Sequence, residues 1–392
     1  MRYLFLIVPL VASCLACGTA KQQETKSEAV STMEPQVSTP SINMEKAEFS
    51  IDFLKTAIAY QPKGNVILSP YSAGVAFSML NDGARGTTHD GLRKALRYSS
   101  YYGDFMDCDS LNIVKSANSV WLNKGFVADK NYISRLENGY NAQTFAADKG
   151  DPFTAEAVNT WCALNTEGLI QEILDQIPAD VRMMLLNALY FKAAWVYPFD
   201  PQVTTEGTFY GESGQTQVKY MQTQARFEYV EFPGYKVVSL PYKNWKYAMM
   251  IVLPDDIDAA VEDLTADKYN YLFAHLDKDA KVRVVLPRFK LETTKVLNDL
   301  FSSMGAGQAF TSAADFSGIT GEPIFVSKAL QKCVLEVNEE GSEAAAVTAI
   351  LMGRTAVPER VEEIIVNKPF FFAIYNPRTR EILFEGKIAD IQ

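Results

Sequence analysis

Few groups in this chain could do covalent chemistry. Histidine occurs twice, at His89 and His275, so any Ser-His or Cys-His catalysis has to use one of them. His89 stands in the polar stretch Arg85-Gly86-Thr87-Thr88-His89-Asp90 and His275 in a helix-like stretch from Tyr269 to Leu276, and neither belongs to a catalytic signature. There is no GxSxG elbow, HExxH pair, P-loop or strand-linked GxGxxG, and Gly305-Ala306-Gly307 reads as a helix-ending turn. The acidic pairs Asp255-Asp256 and Glu362-Glu363 read as solvated surface. Cys108, Cys162 and Cys333 lie far apart with no CxxC or Cys/His zinc spacing, which is the pattern of small buried hydrophobes. The expectation is a protein without metal or cofactor that is not an enzyme.

The most informative segment is Glu339-Glu340-Gly341-Ser342-Glu343-Ala344-Ala345-Ala346-Val347-Thr348-Ala349-Ile350-Leu351-Met352-Gly353-Arg354-Thr355-Ala356-Val357-Pro358. It follows a convincing strand, Leu330–Val337, yet opens on acids and a glycine. At period two, Ser342, Ala344, Ala346, Thr348, Ile350 and Met352 share a face that is small first and larger later, as a strand entering a crowded sheet requires. Alanine favours helix over strand, so a local amphipathic helix is the alternative up to Met352.

The amino terminus reads as an address. Met1-Arg2 and the apolar run Tyr3–Ala12 have the form of an export signal, too short to span a bilayer. Val11-Ala12-Ser13-Cys14 resembles a bacterial lipobox, with Cys17 as the alternative lipidated residue. Residues 18–45, rich in Ser, Thr, Gln, Glu and Pro and poor in aromatics, read as a flexible tether. The expected organisation is a signal over 1–17, a tether over 18–45 and one domain over 46–392, exported and held at a bacterial envelope membrane by its lipid anchor or released outside the cell.

The positioning elements are legible in outline. Of 392 residues, 48 % are hydrophobic, and the formal charge of -10 argues against a nucleic-acid partner bound through a basic surface. From Met44 the pattern is amphipathic helix, stopped by Gln61-Pro62-Lys63-Gly64; a strand at Asn65–Leu68 follows, then a helix N-capped by Ser69 with Pro70 at its first position. Asn112–Leu122 reads as strand, Ala155–Ile177 as helix, and Met183–Phe191 as a strand buried on both faces. Strands are expected at Val218–Met221, Ala225–Glu231, Lys236–Leu240, Tyr247–Leu253, Lys281–Pro287, Ile364–Val366, Phe370–Asn376 and Ile382–Ile388, with a helix near Lys295–Met304. Helices first and strands later, without regular alternation, make an α+β pattern.

Several separated motifs, in order, resemble the serpin family from about Glu48 to the C-terminus. They are Asn65-Val66-Ile67-Leu68-Ser69-Pro70-Tyr71-Ser72, Gly83-Ala84-Arg85-Gly86-Thr87-Thr88, Asn187-Ala188-Leu189-Tyr190-Phe191-Lys192 with Trp195, Leu286-Pro287-Arg288-Phe289, Asp315-Phe316-Ser317-Gly318-Ile319, Val337 to Ala346, and Asn367-Lys368-Pro369-Phe370.

The resemblance implies a helical N-terminal part, a large mixed central sheet, smaller sheets and an exposed C-terminal reactive loop, about 341–358. It implies a monomeric suicide-substrate inhibitor whose partners are serine proteases held covalently. Glu339, Glu340, Gly341, Ser342, Glu343, Ala344, Ala345, Ala346 and Thr348 would form the hinge, with Glu339 paired to Arg288 and Trp195 near the top of the sheet. Ser69, Ser72 and Asn187 would form the shutter, where Gln331 replaces the usual histidine and its amide would donate to Asn187. The commonest loop length puts Thr355 before the cleaved bond, whereas charge favours Arg354-Thr355 as the bond and a trypsin-like target. Leu351, Met352 and Val357 would admit elastase-, subtilisin- or cathepsin-like enzymes. A non-inhibitory serpin, cleaved as a plain substrate, is the alternative.

Overall fold

The computed structural model describes residues 44–98, 112–147, 150, 152–166, 168, 170–177, 180–341 and 360–391. In chain order the elements are α1 (Met44–Tyr60), β1 (Val66–Leu68), α2 (Pro70–Gly83), α3 (Gly86–Leu96), β2 (Asn112–Leu122), α4 (Lys130–Tyr140), β3 (Ala142–Ala146), α5 (Ala155–Asn165), β4 (Met183–Ala193), β5 (Thr205–Gly211), β6 (Gly214–Phe232), β7 (Tyr235–Pro241) and β8 (Ala248–Pro254). They continue with α6 (Ile257–Glu262), α7 (Ala266–His275), β9 (Asp277–Pro287), β10 (Phe289–Val296), α8 (Asn298–Phe301), β11 (Val326–Val337), β12 (Glu362–Ile365), β13 (Phe370–Tyr375) and β14 (Ile382–Ile388).

Among the described residues the strands form two sheets: a five-stranded one in the order β10-β11-β4-β2-β3, and a nine-stranded one in the order β1-β14-β13-β8-β7-β6-β9-β12 with β5 on β6. The continuous apolar run of β4 makes it a strand covered on both faces, and every one of its residues but Lys192 is buried. Leu189, Phe191 and Ala193 pack against the nine-stranded sheet, while Met184, Leu186 and Ala188 pack beneath α5 with Trp121 and Trp161. Helix α2 starts as its sequence dictates: the Ser69 hydroxyl accepts from Ser72 N at 3.1 Å and Pro70 fills the first turn. Nearly all of α2 is buried, so it carries Ser69 and Ser72 into the interior.

Three expectations fail. The helix expected over Ala155–Ile177 ends at Asn165, because the Thr166 hydroxyl turns back to Cys162 O and Gly168 takes a left-handed φ of 80°. Asn159 then ties down the return segment through Ile173 N, Leu174 N and Leu174 O. Lys295, expected in a helix, lies in β10 opposite Gln331; the alternating exposure of Phe289–Val296 is a strand pattern, and the helix starts only at Asn298, running through Asn298–Phe301 into wider helical turns over Ser302–Ala306. The two strands expected at Val218–Met221 and Ala225–Glu231 are one, since nothing in Gln222-Thr223-Gln224 breaks the pairing with β9.

Candidate functional site

The two central strands, β11 and β4, run parallel and are zipped only in part. Their register extends from Val326↔Met183 to Cys333↔Leu189, whereas both strands continue, to Val337 and Ala193. The outer ladders are continuous: β10 pairs β11 from Val296↔Leu330 to Phe289↔Val337, and β2 pairs β4 along its whole length. The incomplete central seam therefore lies between two firmly held edges, and the described ones among the expected site residues collect along it and at its upper end.

At its upper end the chain leaves β11 and turns back. Asn338 N donates to Gly341 O at 3.1 Å, and the Asn338 side-chain oxygen accepts from Glu340 N and Gly341 N, an Asx-type turn. Gly341 has φ 140°, and a Cβ there would collide with Ala193 O and the Ala194 Cα, so the approach to β4 demands glycine. The turn is pinned from the other side, since Trp195 N donates to Glu340 O at 3.0 Å and Phe199 N to Glu339 O at 2.9 Å. The Trp195 indole donates to Asn338 O at 3.0 Å and stacks on Tyr242 at 4.3 Å.

Glu339 is 3 % exposed. Its Oε1 accepts from Arg288 Nε and Thr204 Oγ1, each at 2.6 Å, and Arg288 Nη2 closes on the same oxygen. Burial alone would raise this carboxyl, but the Arg288 guanidinium and the Thr204 hydroxyl outweigh it and hold the group below its ordinary value. Arg288 remains partly exposed while the acid does not, which makes the pair stronger than a surface ion pair.

Lower on the seam, where the strands are still zipped, Ser69, Ser72, Asn118, Asn187 and Gln331 form a buried polar cluster. The expected amide bond from Gln331 to Asn187 is absent. Gln331 instead brackets the Ser69 backbone, its Nε2 donating to Ser69 O at 2.9 Å and its Oε1 accepting from Ser69 N at 3.0 Å. A planar amide offers one donor and one acceptor on the same side, which matches the N–H and C=O of Ser69, whose carbonyl also accepts from Ala73 N at 3.0 Å. Asn187 donates to Asn118 Oδ1 at 2.6 Å, and among the described residues Asn187 Oδ1 and Ser72 Oγ find no partner.

Thr204, Asn118 and Asn338 escaped the sequence reading. Asn338, three residues ahead of Gly341, was a turn signal in plain sight; Thr204 and Asn118 reach their partners from remote elements. Ser342 through Thr355, the lipidation candidates Cys14 and Cys17, and Cys108 lie outside the described residues.

The described groups show no catalytic array. His89 contacts Asp90 at 3.4 Å, and His275 bonds to the Tyr271 carbonyl at 2.8 Å, each on its own helix. Burial pushes the Cys162 thiol up to about 11 and that of Cys333 to about 12, so neither is an accessible thiolate. Among the described residues no helix is long and apolar enough to cross a membrane.

Comparison with known proteins identifies this arrangement. The sequence model of the family described as serpin (serine protease inhibitor) matches residues 44–391. The chain belongs to the serpin family. Leukocyte elastase inhibitor of Bos taurus is 32 % identical over 374 residues, covering 89 % of this chain and 99 % of its own. The thermophilic serpin tengpin, in its native state, superposes with a TM-score of 0.81 at 28 % identity, over 91 % of this chain and 96 % of that one. Human thyroxine-binding globulin with bound thyroxine superposes at 0.80 with 22 % identity, over 89 % and 98 % of the two chains, a likeness of fold alone. Serpins are for the most part protease inhibitors and not enzymes, and the α+β serpin fold anticipated from the motifs is the fold found.

Proposed function

We propose that this serpin is a suicide-substrate inhibitor of serine endopeptidases, with Arg354-Thr355 as the reactive bond and a trypsin-like enzyme as target. A protease serine attacks the Arg354 carbonyl, an ester forms to Arg354, and the amine of Thr355 leaves. The freed end of the loop then enters the seam between β11 and β4 before water cleaves the ester. The thirteen residue-to-residue steps from Gly341 to Arg354 span roughly 40 Å at about 3.3 Å each, enough to carry a bound enzyme across the body.

The observation that carries this reading is an agreement of three registers. Counted back from the Asn338–Gly341 hydrogen bond, an antiparallel return along β11 would bring Ala346 opposite Cys333 and Thr348 opposite Gln331. Counted from the isolated antiparallel bridge Ala194↔Gly341, a return along β4 would bring Ala346 opposite Leu189 and Thr348 opposite Asn187. Cys333↔Leu189 and Gln331↔Asn187 are already partners across the seam. A loop entering from Gly341 thus fits both strands at once, and they need only part sideways, without sliding lengthwise.

The same register explains the residue sizes. Ala344 would lie between Leu335 and Phe191, and Ala346 between Cys333 and Leu189, all on the face packed against the other sheet, so only small residues can enter. Ile350 would reach Ala329 and Leu185, where an apolar side chain is buried with profit. Thr348 would come beside Asn187 Oδ1, which has no partner among the described residues.

The test is to mix the protein with trypsin and with pancreatic elastase, look for an SDS-stable complex and map the cut by mass spectrometry. A covalent band cut after Arg354, weakened selectively for trypsin in Arg354→Ala, is the expected result. Ala346→Arg should be cleaved at the same bond without trapping the enzyme. Clean cleavage of the unaltered protein with no complex would move it to the substrate-type reading. As part of the same proposal, Cys14, or Cys17, carries a lipid and residues 18–45 hold the domain off a membrane. Labelling with a fatty acid in a bacterial host, lost in only one of Cys14→Ser and Cys17→Ser, assigns the residue.

A further inference from the structure

The hairpin joining β7 to β8 carries an anomaly at its tip. Tyr242 N donates to Tyr247 O at 2.9 Å to close it, and two consecutive residues between them lie in the left-handed region, Asn244 at φ 67° and Trp245 at φ 57°. Asparagine tolerates that region, but at the second place glycine costs least and a bulky side chain is strained. The indole gains little packing in return, for it is 61 % exposed and stands edge-on to Tyr197 at 6.4 Å. A large aromatic held out in water on a strained backbone serves neither the turn nor the core, and so points to a partner.

The surroundings of the hairpin say which partner. Lys243 N donates to Ala194 O at 2.7 Å, and Ala194 bridges Gly341, so the tip is bonded to the residue that faces the start of the loop. On the other side Tyr197 packs edge-on against the buried Phe227 of β6 at 5.4 Å. Two residues away along β6, Ala225 pairs with Val282 of β9, which pairs in turn with Glu362, the first residue of β12, where the chain rejoins the sheet after the loop. The aromatic row Trp245, Tyr197, Phe227 thus runs between the two roots of the loop. A protease working on a bond between those roots has the row beneath it.

We propose that Trp245 is a docking contact for the target protease, outside the loop, that holds the enzyme on the body of the serpin before the loop is cleaved. The proposal rests on the inhibitory reading and adds to it a determinant of which enzymes are met fast. An exposed indole backed by a half-buried tyrosine is a ready anchor for an apolar depression on the enzyme, since tryptophan is among the residues that dominate binding at interface centres. The contact acts on the encounter and not on the β11–β4 seam, so it changes how fast the loop is attacked and leaves untouched whether the enzyme is then trapped. Two proteases whose clefts accept the loop equally well would differ according to whether their rims can cover the indole.

Trp245→Gly is the informative variant, because glycine suits the strained position and the variant should melt no lower than the parent. Its second-order rate of SDS-stable complex formation with trypsin should fall about tenfold, while the fraction of cleavages that end in trapping stays the same. A tryptophan that served only the fold would instead lower the melting temperature and leave the rate alone. Hydroxyl-radical footprinting read by mass spectrometry tests the contact directly: trypsin with its nucleophilic serine replaced should suppress oxidation of Trp245 and spare Leu164, which is exposed on α5. An undiminished rate in Trp245→Gly, or oxidation of Trp245 as fast with the inactive enzyme as without it, would overturn the proposal. Suppression on raising the concentration of this protein alone would assign the indole to a contact between copies and overturn it too. Cleavage of the unaltered protein without a complex would sink the inhibitory reading instead, and the footprint would still decide for Trp245.

Discussion

Glu339 is a carboxylate out of water, and its value to the fold depends on its charge. Arg288→Ala would leave it with Thr204 as its side-chain donor, and the expected loss is about 1–3 kcal/mol, seen as a melting point lowered by several degrees at neutral pH. Because the folded carboxyl sits below its ordinary value of 4.5, the pair's contribution is complete above that pH and fades as pH falls through the folded value. The difference between variant and parent should therefore shrink toward zero in acid, and a pH-independent gap would mean that Arg288 acts through packing instead. Gln331→Leu poses the converse case. It removes the acceptor of the buried Ser69 N and one of the two donors to Ser69 O, which keeps Ala73 N, so it should cost about 1–3 kcal/mol despite adding an apolar residue, measured by the same melts. The sequence made Glu339, Arg288 and Ser69 legible because each sits in a short local motif. It could not assign Gln331, because an amide can satisfy a side chain or a backbone equally well and only the approach of α2 decides between them.

At the scale of elements, the turn after β11 is held by a conformation, not by burial. Gly341→Ala would place a methyl against Ala193 O in a backbone region that side chains disfavour, at a cost of about 1–3 kcal/mol. The distinguishing readout is hydrogen exchange: the amides of Trp195 and Phe199, which donate to Glu340 O and Glu339 O, should lose protection while those along β2 keep theirs. The elements themselves were readable wherever one periodicity ran uninterrupted. β2 and β14 have the bounds anticipated from their hydrophobic patterns, and β4 follows from its unbroken apolar run. Failures occurred where a tertiary contact overrode a local preference. Lys295 has good helical neighbours but is held in β10 by its pairing opposite Gln331. The chain after Asn165 stays apolar, which suggested more helix, yet Asn159 binds it back as an irregular segment.

For the whole molecule the consequence lies in how the five-stranded sheet is joined. Its two halves meet along one parallel ladder, whose slanted bonds are slightly weaker per residue than antiparallel ones, and that ladder stops at Cys333↔Leu189. A loop entering in the shared register would replace it with two antiparallel ladders and close the open end, so the uncleaved fold would be held from a better-paired state by an intact loop, a matter of rates and not of equilibrium. Each inserted residue gains backbone bonds on both sides in exchange for one parallel bond. About ten additional bonds at about 1 kcal/mol each, at roughly 2–4 °C per kcal/mol, give a rise of about 20–40 °C in melting temperature. Cutting the loop once with a protease that is not trapped, then comparing melting curves of cut and uncut protein, measures this directly. The rise should vanish in Ala346→Arg, whose side chain cannot pass between Cys333 and Leu189, although that variant is cut at the same bond. A cleaved parent that melts where the uncut protein does would show that the seam does not accept the loop, and suicide inhibition would then lack its driving force even if the bond at Arg354 were cleaved.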